Sequence, residues 1–349
     1  MKSKLTGIAF ILLLIVVGIG CSKKDEKQNN QPAISSEQLD NLKSVDLKGE
    51  KVFLKYKFEK GEKLLYKLIT VNSSQQTIKA DSLIKSAGEQ TLTYFFDIEV
   101  LEVDNDNIAE LSLNISQIIF DGMVNGQKMH YDTKTANISK EEKLKFIEFE
   151  TISNTPFRAR VNQKGEILEI TRIDKMVDKM ITLQPEAQKM PADQKAALIK
   201  NISEGELKPR TQLLFRELTT NAIGKDSTWQ KAIPSSPGAF KLENTINYKV
   251  TDFVKVGDDK AAKISAVLTS KWSGEKKGTE NGMNYLFEDP KVSGGGTILF
   301  NIDKGKVIRG ETNTNVEIGV QIDAKDATKK MKRTFRKDIT MNKNIVELL

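Results

Sequence analysis

One cysteine, Cys21, and one histidine, His130, are all that 349 residues offer of the two side chains most used for metals and nucleophiles. With no second thiol there can be no disulfide framework, and a thiol-free body suits an oxidising compartment. Histidine-based metal sites and Ser-His or Cys-His nucleophilic systems have almost no material here. No metal, cofactor or catalytic residue is therefore assigned, and the chain is expected not to be an enzyme. Charge of one sign is also in short supply. Against 47 acidic residues stand 54 basic ones, a net +7 too mild to specify a partner. With 38% apolar and 29% charged residues, the composition is that of a globular chain. It is long enough for one large domain or two modest ones.

The one long apolar run sits at the start: Lys2 and Lys4, then Leu5 to Gly20, then Cys21. A basic n-region, an apolar core and small residues before a cut make a secretory signal. The run is shorter than the roughly 20 residues that a spanning helix needs. Gly18-Ile19-Gly20-Cys21 resembles the bacterial lipobox, with Gly18 standing where leucine is usual. The resemblance implies cleavage after residue 20 and diacylation of the Cys21 thiol. Multi-chain acylation, at about 0.8 kcal/mol per buried CH₂, holds a protein to its membrane for good. The expected address is the outer membrane, lipid-anchored at Cys21, on its surface or periplasmic face. Residues 21–50 read as a polar, disordered tether. Within it, Lys23-Lys24-Asp25-Glu26 resembles the surface-sorting signal of Bacteroidota lipoproteins, and a solvated charge run explains the same residues equally well.

From Lys51 the pattern has period two. Phe53 to Phe58 and Leu64 to Val71 flank Lys60-Gly61, and a polar Ser/Gln stretch separates them from the next pair. Thr91–Val103 and Ile108–Ile118 flank Asp104-Asn105-Asp106-Asn107. Further hairpin signals follow at Asn125-Gly126 and at Asn162-Gln163-Lys164-Gly165. The period then becomes helical, with Ile173, Met176, Val177, Met180 and Ile181 on one face. Pro191 and Pro209 open two more candidate helices. After residue 219 strands return and echo the first half. Gly224 and Trp229 repeat Gly61 and Tyr66 in spacing. Tyr248–Leu268, around Gly257-Asp258-Asp259-Lys260, repeats Phe95–Ile115, and Ile302–Ile308 repeats Asn162–Leu168. The expected architecture is mainly β (α+β). Two antiparallel β units, of open half-barrel or sandwich type, form at 51–170 and 220–349, with a helical segment at 171–219 between them.

Several stretches invite a chemical reading, and each has a plainer one. Asp104-Asn105-Asp106 with Glu110 has the flavour of a calcium loop but lacks the glycine of its sharp bend, so it reads as a polar turn. Ser293-Gly294-Gly295-Gly296-Thr297 has no Gly-Lys-Ser/Thr after it and leads into a strand, so it reads as a turn or bulge. His130 has no nameable partner. Asp81-Ser82-Leu83 and Asp226-Ser227-Thr228 resemble short Bacteroidota glycosylation sites, though turns explain them too. The basic run Lys329–Lys337 reads as the lysine-rich guard of an edge strand. Nothing in the chain supplies a stacking platform for nucleic acid. The face of Met176, Val177, Met180 and Ile181 is either ordinary helix packing or an adaptable lining for an apolar ligand.

The lipobox, Leu54-Lys55-Tyr56-Lys57-Phe58-Glu59-Lys60-Gly61-Glu62 with Tyr66, the Gly165 hairpin, the helical middle, Gly224–Trp229 and Gly294-Gly295-Gly296 leading to Asn301–Val307 together resemble an uncharacterised family of Bacteroidota lipoproteins carrying a domain of unknown function. The resemblance implies a β-rich envelope protein and brings no catalytic residues. The function expected is a non-catalytic binding or scaffolding module. Its partners would be the membrane through Cys21 and a lipid, polysaccharide or envelope protein. A carrier or chaperone for an amphiphile, with its groove under the helices, is the alternative; a carboxylate hydrolase is a second.

Overall fold

The computed structural model describes residues 39, 41–184, 189–235, 241–280, 282–325 and 330–349. The signal segment and Cys21 lie outside the described residues. The fold is mainly β. Its first strands are β1 (Lys63–Lys79), β2 (Leu83–Val103), β3 (Ala109–Val124), β4 (Gln127–Asp132), β5 (Phe157–Val161) and β6 (Ile167–Thr171). After the helices come β7 (Thr228–Ser235), β8 (Lys241–Val256), β9 (Asp259–Ser273), β10 (Lys277–Glu280), β11 (Met283–Phe287), β12 (Lys291–Asn301), β13 (Lys306–Lys325) and β14 (Met331–Leu348). Every pairing between these strands is antiparallel. The turns are where the sequence puts them. At Asn125-Gly126 both central residues have positive φ, 48° and 86°, which is the twist a two-residue hairpin needs.

The strands form one open sheet in the order β6-β5-β3-β2-β1-β14-β13-β12-β9-β8-β7, with β4 alongside β3 and the β10–β11 hairpin alongside β13. The two expected β units are therefore halves of a single sheet. The echo between them is also an echo of topology. β1, β2, β3, β5 and β6 neighbour one another in the same succession as β7, β8, β9, β12 and β13, and β14 fills the place between the halves.

That position corrects the reading of the basic run. β14 has β1 on one side and β13 on the other, so it is central rather than an edge. Its cations are matched on either side: Lys332 with Asp81 of the β1–β2 turn at 2.5 Å, and on β13 Arg333 with Asp323 at 2.8 Å and Lys337 with Glu317 at 3.0 Å. The Ser/Gln stretch after Val71 is likewise strand, not separator. β1 runs on through it in register with Gln90 to Leu83 of β2. Polar alternation gives no amphipathic signal, and a partner on each side supplies the missing drive.

Helices cover the inner face of the sheet at one end: α1 (Lys140–Lys145), α2 (Ile147–Ile152), α3 (Asp174–Leu183), α4 (Ala192–Lys200) and α5 (Lys208–Leu214), with a π-helical turn at Asn201–Leu207 between the last two. α1 and α2 lie before the expected helical segment. Their signal is a Ser-x-x-Glu start, and the Ser139 hydroxyl accepts from the Glu142 amide at 3.1 Å. Inward residues Tyr66, Leu68, Tyr94, Phe96, Ile115, Ile118, Phe300 and Val346 meet the helices in a single core. At its centre Tyr56 lies edge-on to Phe300 at 5.3 Å and to Phe215 at 5.7 Å, a favoured aromatic geometry.

The tether expected over 21–50 includes residues that are packed. Leu39 and Leu42 join Val254, Ala261, Leu299 and Ile308 in a second, small cluster. Val45 donates to Phe253, Lys255 donates to Lys43, and the Ser44 hydroxyl donates to the Asp252 carboxylate, which Lys225 also reaches at 3.1 Å. The Ser44 bond, followed by Lys225, holds the Asp252 carboxyl below the usual range. A carboxyl lowered by folding contributes stability above its unfolded pKa and loses it as pH falls through the folded one. Docking of residues 41–50 is thus complete at neutral pH and weakens in acid below about pH 4. Asp252→Asn should open this segment to proteases at pH 7 while the sheet resists, and limited proteolysis with mapping of the cut sites checks it.

Candidate functional site

Beyond the helices the long strands continue, and among the described residues no layer lies on their inner face. Directly opposed residues share a face, so the register gives that surface residue by residue. Outward from Leu68, Tyr94 and Val346 come Thr70 and Asn72 on β1, Asn344, Asn342, Thr340 and Asp338 on β14, and Thr312 and Thr314 on β13. Their side chains bond both across the strands and along them. Thr70 donates to Asn344 at 2.9 Å, Asn344 to Asn342 at 2.6 Å, Asn342 to Asn72, and Gln76 to Asp338 at 2.9 Å. Where apolar burial ends, an amide-and-hydroxyl ladder begins. Further out on β13 the face turns apolar again, with Val320 and Ile322 opposite Phe287 and Tyr285, whose rings stack at 6.1 Å.

At the border of core and open face sits Arg216. It follows α5, whose end is clamped to the β5–β6 turn: Gln212 donates to the Gly165 carbonyl at 2.8 Å and Leu218 to that of Lys164 at 2.9 Å. Tyr56 donates to the Arg216 carbonyl at 3.1 Å. Gly165, at φ +82°, is held by the same contacts, because a Cβ there would overlap the Tyr56 ring and stand 2.7 Å from the Arg216 carbonyl oxygen. The guanidinium so placed reaches Thr312 Oγ1 from one Nη at 3.4 Å, and its Nε is sealed from solvent without an acceptor. Burial pulls its pKa down, opposed by the phenols of Tyr248 and Tyr56. No carboxylate among the described residues pairs with it. Arg210, six residues earlier, has both Glu206 and Tyr94 as partners, and these outweigh burial to raise its pKa.

Beside Arg216 the side-chain layer is missing. Thr312 faces Gly296, Thr314 faces Gly294, and Gly310 lies one step back toward the core. A Cβ on Gly296 would overlap the Glu311 carbonyl oxygen, and one on Gly294 would stand 2.6 Å from that of Asn313. Glycine is therefore forced by the close approach of β12 and β13, and the floor is bare backbone. Half-buried Leu268, Ile246 and Trp229 wall it on the other side, with Trp229 stacked on Tyr248 at 5.1 Å. The Gly294–Gly296 run thus lies within a strand, not in a turn. No sequence signal marks Arg216 among so many basic residues.

The other candidate residues lie apart from this border. Met176 and Val177 are wholly buried in the main core, while Met180 and Ile181 are half-buried at its margin. His130 Nδ1 meets Asp121 Oδ1 at 2.7 Å on the exposed β3–β4 hairpin. Asp104 accepts from the amides of Asp106 and Ile108, both at 2.9 Å, which closes a local turn. Asp226 is exposed and paired with Lys249 at 2.8 Å. Among the described residues no group of three acids, histidines or cysteines could hold a metal ion, and no helix is long and apolar enough to cross a membrane. Glu150, a buried acid of α2 itself, accepts from the Tyr131 hydroxyl at 2.7 Å.

A family of unknown function (DUF6263) matches residues 106–307, more than half of the chain. No curated protein matches. Among solved structures, lipovitellin, in a study of lipid–protein interactions, is similar over 84% of this chain at 11% identity and a TM-score of 0.40; this chain spans a quarter of that one. An outer membrane channel from Pseudomonas putida F1 is similar over 87% of this chain and 100% of its own, at 9% identity and a TM-score of 0.18. OccK2 of Pseudomonas aeruginosa is similar over 82% and 98%, at 5% identity and a TM-score of 0.20.

The burial of α3 separates its two residue pairs. Met176→Ala should cost about 2–5 kcal/mol, the range for a fully enclosed methionine, and Met180→Ala distinctly less. Urea unfolding of both variants measures the difference.

Proposed function

The chain belongs to DUF6263, a family of unknown function, and from that premise we propose that it is an outer-membrane lipoprotein of Bacteroidota type, anchored at Cys21, acting as a non-catalytic binding module. The observation that carries the binding role is the overhang of the sheet. Strands β2, β13 and β14 hold 21, 20 and 18 residues, against a mean of about 5–6 in globular proteins. Only their core-end portions face the helices. The remainder is ordered by strand pairing and side-chain ladders, so it holds a broad, pre-arranged surface open to a partner at little further entropic cost. Anchoring is supported by the basic n-region, the apolar run and the placement of the sole thiol. Among the described residues, packing begins at Leu39, eighteen positions past Cys21.

The carrier reading keeps one observation in its favour, which is the uncompensated guanidinium at the border of an open face. The hydrolase reading has none.

Growth with labelled palmitate should mark the wild-type chain and leave Cys21→Ala unmarked, with the label in the outer-membrane fraction. An unmarked wild-type chain removes the anchor and the address together.

A further inference from the structure

Among the described residues, Arg216 is a half-buried cation without a carboxylate partner. Lys306, which is buried, has Glu62 at 2.9 Å and the carbonyl of Lys57. Arg309 pairs with Glu347 and, at 3.3 Å, with Glu311. Arg210 has Glu206. Arg216 has a single bond, at 3.4 Å from one Nη to the Thr312 hydroxyl, and no ion pair; its sealed Nε is a feature shared with Arg309 and so does not set it apart. Taking a charge out of water without a counter-charge is costly. A fold that bonds the Arg216 carbonyl to Tyr56 and ties the residues on either side of it to the β5–β6 turn through Gln212 and Leu218 keeps it there against that cost.

What lies beside the guanidinium says what would complete it. The missing partner is an anion, and a planar fork favours one with two coplanar oxygens. The adjoining floor carries no side chains at Gly294 and Gly296, and its wall is Leu268, Ile246 and Trp229. The apolar wall would suit a hydrocarbon body, and Thr312 and Thr314 offer hydroxyls on the opposite side.

We propose that Arg216 is the head-group contact of a binding site for a monocarboxylate with an apolar tail, the tail lying over the Gly294–Gly296 backbone against Leu268, Ile246 and Trp229. This rests on the binding-module reading and names its ligand class. The carboxylate meets the Nη groups beside Thr312, and no covalent step is involved. Ligand binding neutralises the unpaired Arg216 charge, so the liganded protein is also the more stable one.

The experiment is titration of the purified full chain with octanoate, 1-octanol and acetate, each alone, followed by calorimetry and by tryptophan emission. The expected result is saturable 1:1 uptake of octanoate, about tenfold or more tighter than octanol or acetate, in line with a charge-assisted bond worth about 1.5–3 kcal/mol. Arg216→Gln should erase the preference for octanoate over octanol, and Arg216→Lys should retain part of it. Leu268→Glu, on the half-buried wall rather than in the core, sets a negative charge beside the site and should weaken octanoate selectively even if Arg216→Gln fails to fold. Equal affinity for octanoate and octanol, no saturable uptake by the folded chain, or an unchanged preference in Arg216→Gln or Leu268→Glu would each overturn the proposal. Palmitate labelling of Cys21 and this titration fail independently. A labelled chain that ignores octanoate loses the ligand and keeps the anchor, and an unlabelled chain that binds it does the reverse.

Discussion

The backbone ladder that β14 makes on both its sides is the interaction on which the rest depends. The last strand returns to lie against the first, Leu348 facing Tyr66 and Phe335 facing Lys79, while its other edge pairs Glu347 through Met331 with Arg309 through Lys325. Two repeats of hairpins, each with its own short core-end strands, become one surface through this seam. Without it β1 and β13 would both be edges, each presenting a long row of unpaired amides, the arrangement that invites aggregation. Central placement also explains why the strand tolerates its composition. Lys332, Arg333 and Lys337 need no burial to stay in a strand whose backbone is satisfied on both sides, and their exposed pairings contribute little by themselves.

The seam also divides the molecule by chemistry. Along β1 the inward positions read Leu64, Tyr66, Leu68, then Thr70, Asn72 and Ser74. Along β14 they read Val346, then Asn344, Asn342 and Thr340. The change of character falls at the same level on both strands, where the helices stop. Below that level apolar burial drives folding, and above it hydrogen bonds between side chains keep the strands in register. Arg216 stands at that level, belonging fully to neither zone. A charge at such a border sees the weak dielectric of the core on one side and an unfilled face on the other, which is the setting in which a ligand's charge counts most.

Much of this was legible in the residues. Hairpins announce themselves through Asn-Gly, Lys-Gly and Gly-Asp turns, because positive φ has few suitable residues. The helical face of Ile173, Met176 and Val177 follows from its spacing, and the repeat of hairpins is visible as matched turns. What was hidden has physical reasons. The polar arms of β1 and β14 carry no amphipathic signal, and the two pair with each other across more than two hundred residues of sequence. The packing of residues 41–50 depends on Asp252 and Phe253, which no local pattern connects to them. Arg216 stands out only through what its neighbours fail to provide, and a sequence cannot show a missing partner. The capping signal at Ser139 and Glu142 was present and marks α1 directly.

Native-state hydrogen exchange across the seam tests the central claim most directly. If β14 unites the halves, the amides of β1, β13 and β14 that form the two ladders share one high opening free energy and respond together to added urea. Rapid, independent exchange of β14 while β1 and β13 stay protected would contradict a single sheet, and with it the open platform and the border at Arg216.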